Sequence, residues 1–324
     1  MTNAPIFLEP ALNVRVWGGR QLESRLGKRL PTAEPYGESW EIFWKNRVEG
    51  GQQTLGELIA ADPHGMTGIG TAGAEFPLLV KFLDAQDWLS VQVHPDDAQA
   101  AQLEGEPRGK TECWYVVDAA PGAQLIYGLK GVTSADQYRR MVAEGRTREA
   151  LQFVDVQAGD FIFVPAGTQH AIGPGLLIYE LQQTSDTTYR VWDWDRVGLD
   201  GKPRPLHLEK ALAVTHYGDQ PPAKTPYTFH PQPYGESARL VRGPFFNLDL
   251  LRLNGTYTAD LHQAETVGGS ALRAHLITVI KGALRLEGAF PAAALPMGAS
   301  VFVPAGVGRY ALSGVGEVLT AWGA

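Results

Sequence analysis

Residues 159–170 read Gly-Asp-Phe-Ile-Phe-Val-Pro-Ala-Gly-Thr-Gln-His, and residues 298–309 read Gly-Ala-Ser-Val-Phe-Val-Pro-Ala-Gly-Val-Gly-Arg. Gly159, Pro165 and Gly167 recur as Gly298, Pro304 and Gly306 at identical spacing, and Phe-Val-Pro-Ala-Gly is common to both. Each copy is a short apolar run, a turn built on Pro and Gly, and the first residue of a following strand. Each also lies near the end of its half of the chain, the pattern of a duplicated β unit. The residue that opens the second strand is expected to face inward. It is His170 in the first copy and Arg309 in the second, so one copy keeps a potential metal ligand and the other does not.

The rest of the chain extends this reading. Thirty-seven Gly and 22 Pro punctuate short apolar runs, which indicates many strands joined by turns. Residues 77–83 are almost continuously apolar and predict a buried strand. Residues 89–94 alternate, with Leu89, Val91 and Val93 on one face and Ser90, Gln92 and His94 on the other. Further strands are predicted at 112–117, 161–164, 176–183 and 190–194. Helices are few: one over 54–60, opened by a Thr54-x-x-Glu57 capping pattern; one beginning at Thr133, with Tyr138, Met141 and Val142 as its apolar stripe; and shorter ones at 148–153 and 207–216. Residues 218–233 hold five prolines and read as a connection between domains. The expectation is a mainly β protein of two domains, 1–225 and 226–324, with a few helices added to the N-terminal half.

Composition narrows the function. The 324 residues are 44% hydrophobic, and 28 basic against 35 acidic residues give a net charge of −7. A mildly acidic chain without a dense Lys/Arg block is not a general nucleic-acid binder. No apolar run approaches the ~18–20 residues that span a bilayer as a helix. The first ten residues lack the basic and apolar segments of a signal peptide, so a cytoplasmic location is expected. One cysteine, Cys113, offers neither an internal disulfide nor a cysteine zinc cluster. Chemistry must come from His, carboxylates, Lys and Arg.

Gly159 to His170 resembles the second motif of the cupins, jelly-roll barrels that hold a metal inside. The usual cupin carboxylate departs from its place, since Glu112 follows His94 by 18 residues. A narrower resemblance covers the chain from about residue 5 to the C-terminus. The segments Val16-Trp-Gly-Gly19, Gly37-Glu-Ser-Trp40-Glu-Ile, Gln92-Val-His94-Pro-Asp, Gly109-Lys110-Thr-Glu112-Cys-Trp and Tyr189-Arg190-Val-Trp-Asp-Trp-Asp-Arg196 resemble, in order, the type I mannose-6-phosphate isomerases in their short bacterial form. The resemblance implies two cupin-type jelly-roll barrels, the second without the metal set. It also implies a zinc ion held by Gln92, His94, Glu112 and His170. The implied activity interconverts mannose 6-phosphate and fructose 6-phosphate through a cis-enediol, with Arg190 as active-site residue and a small sugar phosphate, not nucleic acid or membrane, as partner. Two other readings are another cupin sugar-phosphate isomerase, and a sugar-binding cupin without catalysis.

The residues themselves are consistent with this. Gln92 and His94 share a strand face, while Glu112 and His170 lie on two other strands. Imidazole and carboxylate donors converging at about 2.0–2.2 Å suit a borderline-soft ion. Lys110, two residues before Glu112, is expected on the same side, placed to contact substrate or move a proton. Arg190 carries a guanidinium fork suited to an enediolate or a phosphate; Arg196 and Lys81 are further phosphate candidates. Glu180 and Gln182 share a face without a decided role, and Trp17, Trp40 and Trp114 are read as core or pocket wall. Cys113 faces away from Glu112 as a small buried hydrophobe. His64, His207, His216, His230, His262 and His275 belong to no constellation.

Overall fold

The computed structural model describes residues 3–68, 75–261 and 274–323; His262 lies outside them. Two strands form the spine of the N-terminal half. Leu78–Ala85 and Leu176–Gln183 are buried along their whole length, as continuous apolar runs covered on both faces must be. They pair antiparallel within a six-stranded sheet ordered Ala11–Gly19, Tyr36–Ile42, Leu78–Ala85, Leu176–Gln183, Glu112–Ala119, Phe161–Val164. A second sheet, of five strands, is ordered Tyr189–Trp192, Val91–Val93, His170–Ile172, Gln124–Leu129, Leu151–Asp155.

The core between these sheets includes Leu83, Trp114, Leu125, Ile162, Ile172 and Ile178. The outer face of the five-stranded sheet is covered by the helices Ala135–Ala143 and Leu208–Val214, with Tyr138 and Leu212 buried against Val91, Val93 and Ile126. The second half is an eight-stranded antiparallel sheet in which the long strands His275–Gly288 and Arg309–Gly323 pair along most of their length. It encloses its own core of Leu251, Ile277, Leu295 and Leu312. The two halves share a further apolar cluster: Phe76 meets Phe302 edge to face at 5.2 Å.

The observed mainly β class matches the expectation, and most predicted elements lie within two residues of their places. The Thr54–Glu57 capping box is formed ahead of the Leu55–Ala61 helix. Three differences stand out. Residues 148–153 are not a helix. A 3₁₀ turn over Thr147–Ala150 runs into the strand Leu151–Asp155, where pairing with Gln124–Leu129 outweighs a weak helical pattern. The strand predicted over 89–94 is ordered as strand only at Val91–Val93. A helix over Asp97–Glu104, capped by Asp96 with Gln99, was not foreseen.

The repeated motif is real at its start and diverges at its turn. Gly159 and Gly298 both adopt positive φ, 92° and 86°. In the first copy Gly167 (φ 84°) closes the turn; in the second that conformation passes to Gly308 (φ 70°), after a 3₁₀ turn over Ala305–Val307. The shift turns Arg309 out to solvent, paired with Asp260, contrary to the inward placement expected for it. Its neighbour Tyr310 is buried instead and bonds His275 Nδ1 at 2.8 Å.

Candidate active site

Register assembles the site. In the six-stranded sheet, Trp40 stands opposite Lys81, Lys81 opposite Glu180, and Glu180 opposite Trp114. Glu112 and Trp114 share a face of their strand by the two-residue period. In the five-stranded sheet, Arg190 stands opposite Gln92 and Gln92 opposite His170. Side chains from the two rows meet at one end of the core between the sheets.

His94, Glu112 and His170, each 1% exposed, form a cluster whose ligand atoms all lie within 4.8 Å of one another. His170 Nε2 is 3.3 Å from Glu112 Oε1, His94 Nε2 is 3.6 Å from Glu112 Oε2, and the Gln92 amide is 3.3 Å from His170 Nε2. Donors about 2.0–2.1 Å from a tetrahedral ion stand roughly 3.3 Å apart, so the spacing suits a divalent ion. The hydrogen bonds agree. His94 Nδ1 lies 2.9 Å from the carbonyl of Thr187, and His170 Nδ1 lies 2.9 Å from that of Thr168. Each carbonyl accepts the Nδ1 proton, which leaves the Nε2 lone pair directed at the cluster. Both buried oxygens of Glu112 lack a hydrogen-bond donor of good geometry; such a carboxylate requires positive charge. Burial, reinforced by the Lys110 charge, pushes His94 well below its usual pKa and His170 down to about 4, so both rings are neutral, as metal ligands must be.

Lys110 stands where the sequence placed it. Its Nζ lies 2.6 Å from Glu112 Oε2 and 3.1 Å from His94 Nε2, so the cluster already gathers around a positive charge. Burial alone would lower its pKa, but Glu112, Glu180 and Glu38 outweigh that and hold it above the ordinary lysine value. Gln92 and Lys110 open into a cavity of about 620 Å³ that Arg190 also lines. Arg190 bonds the Pro205 carbonyl through Nη1 at 2.9 Å and makes no ion pair among the described residues. It does not stack on Trp192, which packs against Trp194 at 4.2 Å.

The cavity holds residues that the sequence reading left undecided or passed over. Lys81 Nζ is 3.3 Å from Glu180 Oε1 and 4.7 Å from the Trp40 ring centroid, and Trp114 donates to Glu180 Oε2 at 2.9 Å. The signal available in the sequence was a lysine within an apolar run, and the structure leaves it only 6% exposed. Arg15 and Trp40 both donate to Glu38 Oε2. Burial opposes the Glu38 charge, yet Lys81, Arg15 and these bonds keep its carboxyl below the usual range. Arg196 does not line the cavity; it bridges Asp87 and Asp193. A neighbouring cleft beyond Trp40, lined by Phe43, Trp44, Lys45 and Arg108, contains none of the metal-cluster residues.

Paired β-sheets with a buried His–Glu–His cluster, an adjoining lysine and a polar cavity define a cupin-type protein whose cluster could hold a metal ion. Comparison with known proteins narrows the class. Residues 6–116 match the catalytic domain of the type I phosphomannose isomerases. The chain is 43% identical to the mannose-6-phosphate isomerase of Streptococcus mutans over 260 residues, covering 78% of this chain and 80% of that one. It is 35% identical over 328 residues to the mannose-6-phosphate isomerase ManA of Bacillus subtilis, covering 98% and 99%. The crystal structure of the Bacillus subtilis mannose 6-phosphate isomerase superposes with a TM-score of 0.89 at 31% identity, over 98% of this chain and 99% of that one. The chain belongs to the type I phosphomannose isomerases. Among the described residues no helix is long and apolar enough to cross a membrane.

Proposed function

We propose that this chain is a zinc-dependent aldose–ketose isomerase that interconverts mannose 6-phosphate and fructose 6-phosphate through a cis-enediol. The observation that carries the reading is the His94–Glu112–His170 cluster meeting Lys110 and Gln92 at the floor of a cavity that also presents Arg190. Gln92, His94, Glu112 and His170 are the residues that would hold the ion, Gln92 through its amide oxygen after a half-turn of the amide. Zinc bound there supplies Lewis-acid polarisation of the sugar oxygens.

In the open-chain sugar, C2 gives up a proton and C1 gains one, while the carbonyl moves from C1 to C2. Negative charge develops on both oxygens at the enediol stage. Arg190 sits opposite Gln92 and makes no ion pair among the described residues, so its fixed charge is available to that stage. A guanidinium holds its proton at neutral pH and acts as a donor rather than a base. The buried Lys110 ammonium, beside Glu112, orients a sugar oxygen and assists proton movement between O1 and O2. Residues 1–225 would form the working domain and 226–324 a second barrel with a structural role.

The test is isomerisation of mannose 6-phosphate by metal-analysed protein, before and after chelation and with zinc restored. Turnover that falls on chelation and returns with zinc supports substrate and metal together. Zinc-loaded, folded protein that turns over a different phosphorylated aldose from a panel transfers the assignment to that sugar. Binding without any turnover leaves a sugar-binding cupin.

A further inference from the structure

The segment after Arg190 contributes a feature that the proposed mechanism does not use. Asp193 is 5% exposed and accepts hydrogen bonds from three guanidinium nitrogens. Arg204 reaches it through Nε at 2.6 Å and Nη2 at 2.5 Å, and Arg196 through Nη2 at 3.1 Å. Between these partners the chain turns through Trp194 and Asp195, the two non-glycine residues with positive φ among those described, at 60° and 54°. This left-handed conformation costs of order 1–2 kcal/mol per residue for an L side chain, and surrounding contacts must hold it. Trp194 Nε1 anchors to the carbonyl of Leu89 at 2.8 Å. The bridge between Val197 and Pro203 then carries residues 198–204 back, so that Gly198, Leu199, Asp200 and Arg204 wall the cavity of Gln92 and Lys110.

The charges along this wall are unequal. Of the other cations that line the cavity, Arg15 has Glu38, Lys81 has Glu180 and Lys110 has Glu112. Arg190 makes no ion pair among the described residues, although the Asp193 charge acts on it, and Arg204 shares Asp193 with Arg196, which also pairs with Asp87. The Arg190–Arg204 side therefore presents two guanidinium groups, with the Asp186 and Asp200 carboxylates also on the cavity wall, and in a partly desolvated cleft an anion bound to a guanidinium gains more than in water. Within it the two arginines come from different elements. Arg190 is fixed by register beside Gln92, whereas Arg204 is on the returning loop. Asp193 occupies Nε and Nη2 of Arg204 and leaves Nη1 for a further acceptor.

We propose that Arg204 binds the phosphate group of the substrate, with Asp193 as the positioning residue that holds its guanidinium at the cavity wall. The sugar then lies with its carbonyl end at the Gln92–Lys110 floor and its anionic end at the loop. Selection for a phosphorylated over an unphosphorylated aldose resides in this pair. The inference rests on the sugar-phosphate isomerase reading, and it adds the residues that discriminate.

Steady-state kinetics on zinc-loaded Arg204→Gln, Arg204→Lys, Asp193→Asn and Arg146→Gln test it, with inorganic phosphate as a competitive inhibitor. Loss of one charged hydrogen bond predicts a KM for mannose 6-phosphate about 10- to 100-fold higher in Arg204→Gln. kcat should change less than threefold, and inhibition by inorganic phosphate should weaken in parallel. Arg204→Lys, which keeps the charge and loses the fork, should fall between. Asp193→Asn should raise KM in the same sense, while Arg146→Gln, which removes a surface ion pair with Glu144 and Glu149 away from the cavity, should leave KM and phosphate inhibition as they are. The melting temperature of Arg204→Gln is expected to fall, because Asp193 loses a partner, while circular dichroism and zinc content at the assay temperature, expected unchanged, separate binding from misfolding. An Arg204→Gln enzyme with wild-type KM and wild-type phosphate inhibition overturns the inference while leaving the isomerase reading intact. A wild-type enzyme inert toward mannose 6-phosphate overturns that reading instead. A fall in kcat alone assigns Arg204 to the chemical step and also refutes the proposal.

Discussion

At the scale of single residues, the site is governed by who neutralises whom in a dry cluster. Lys110 is 6% exposed and its charge is balanced by Glu112. Glu112→Gln would leave a buried ammonium without its counter-ion, and breaking such a pair costs about 3–5 kcal/mol. Metal-free Glu112→Gln is therefore expected to melt well below the metal-free parent, and to lose zinc uptake as well; an unchanged melting temperature in calorimetry would refute the charge balance described above. His275 offers a cleaner pH effect, far from the metal cluster. Burial lowers it to about 4 from an ordinary value of 6.5. The unfolded chain binds this proton more readily, so stability holds above pH 6.5 and declines as pH falls from 6.5 toward 4, by on the order of 3 kcal/mol across the window. His275→Gln should flatten that decline in urea titrations at stepped pH. His94, Glu112, His170, Lys110 and Arg190 were legible in the sequence because each belongs to a spaced motif. Arg15, Glu38 and Asp193 were not singled out, because an ordinary charged residue in a strand or loop reveals its partner only when register brings the two together.

At the scale of elements, the turn after Phe161–Val164 does the positioning. Gly167 donates its N–H to the carbonyl of His94 and accepts from His216 N, each at 2.8 Å. The turn thus ties the strand end that carries His94 to the strand that begins at His170. Its φ of 84° suits glycine, and a β-carbon there would stand 2.7 Å from the His216 ring. Gly167→Ala is expected to destabilise by about 1–3 kcal/mol and to weaken zinc binding by displacing His170. A competition titration against a chromophoric chelator measures the second effect; unchanged affinity in the folded variant would mean that the turn does not set the ligand geometry. The Gly–Pro–Gly spacing announced this turn from sequence. It did not announce that the second copy closes through Gly308 and turns Arg309 outward, since a two-residue shift inside a matching pattern depends on packing around Tyr310 and His275. The Leu151–Asp155 strand was likewise hidden, because its periodicity is short and its partner strand is distant in sequence.

At the scale of the whole molecule, the two halves are not beads on a linker. The apolar cluster behind the six-stranded sheet takes Phe76, Phe82 and Tyr179 from the first half and Leu248, Leu276, Phe302 and Leu319 from the second. Ile6 exchanges backbone hydrogen bonds with Phe302, and Lys28 reaches the carbonyl of Gly298 while paired with Glu41. Even the proline-rich connection packs back, with Thr225 N bonded to Phe161 O and Tyr227 donating to the carbonyl of Gly159. Proline content marked that segment as extended, but composition carries no information about the surface an extended segment lies on. The arrangement couples the second half to the site, because Lys81 and Glu180 lie on strands whose opposite face forms the shared cluster. We expect urea unfolding followed by tryptophan fluorescence and by far-ultraviolet circular dichroism to give one coincident transition. Phe302→Ala, which empties a fully buried position against Phe76, should move that whole transition by about 3–5 kcal/mol. Two separated transitions, with Phe302→Ala shifting only one, would instead show two independently folding halves. The boundary near residue 225 would then divide stability as well as sequence.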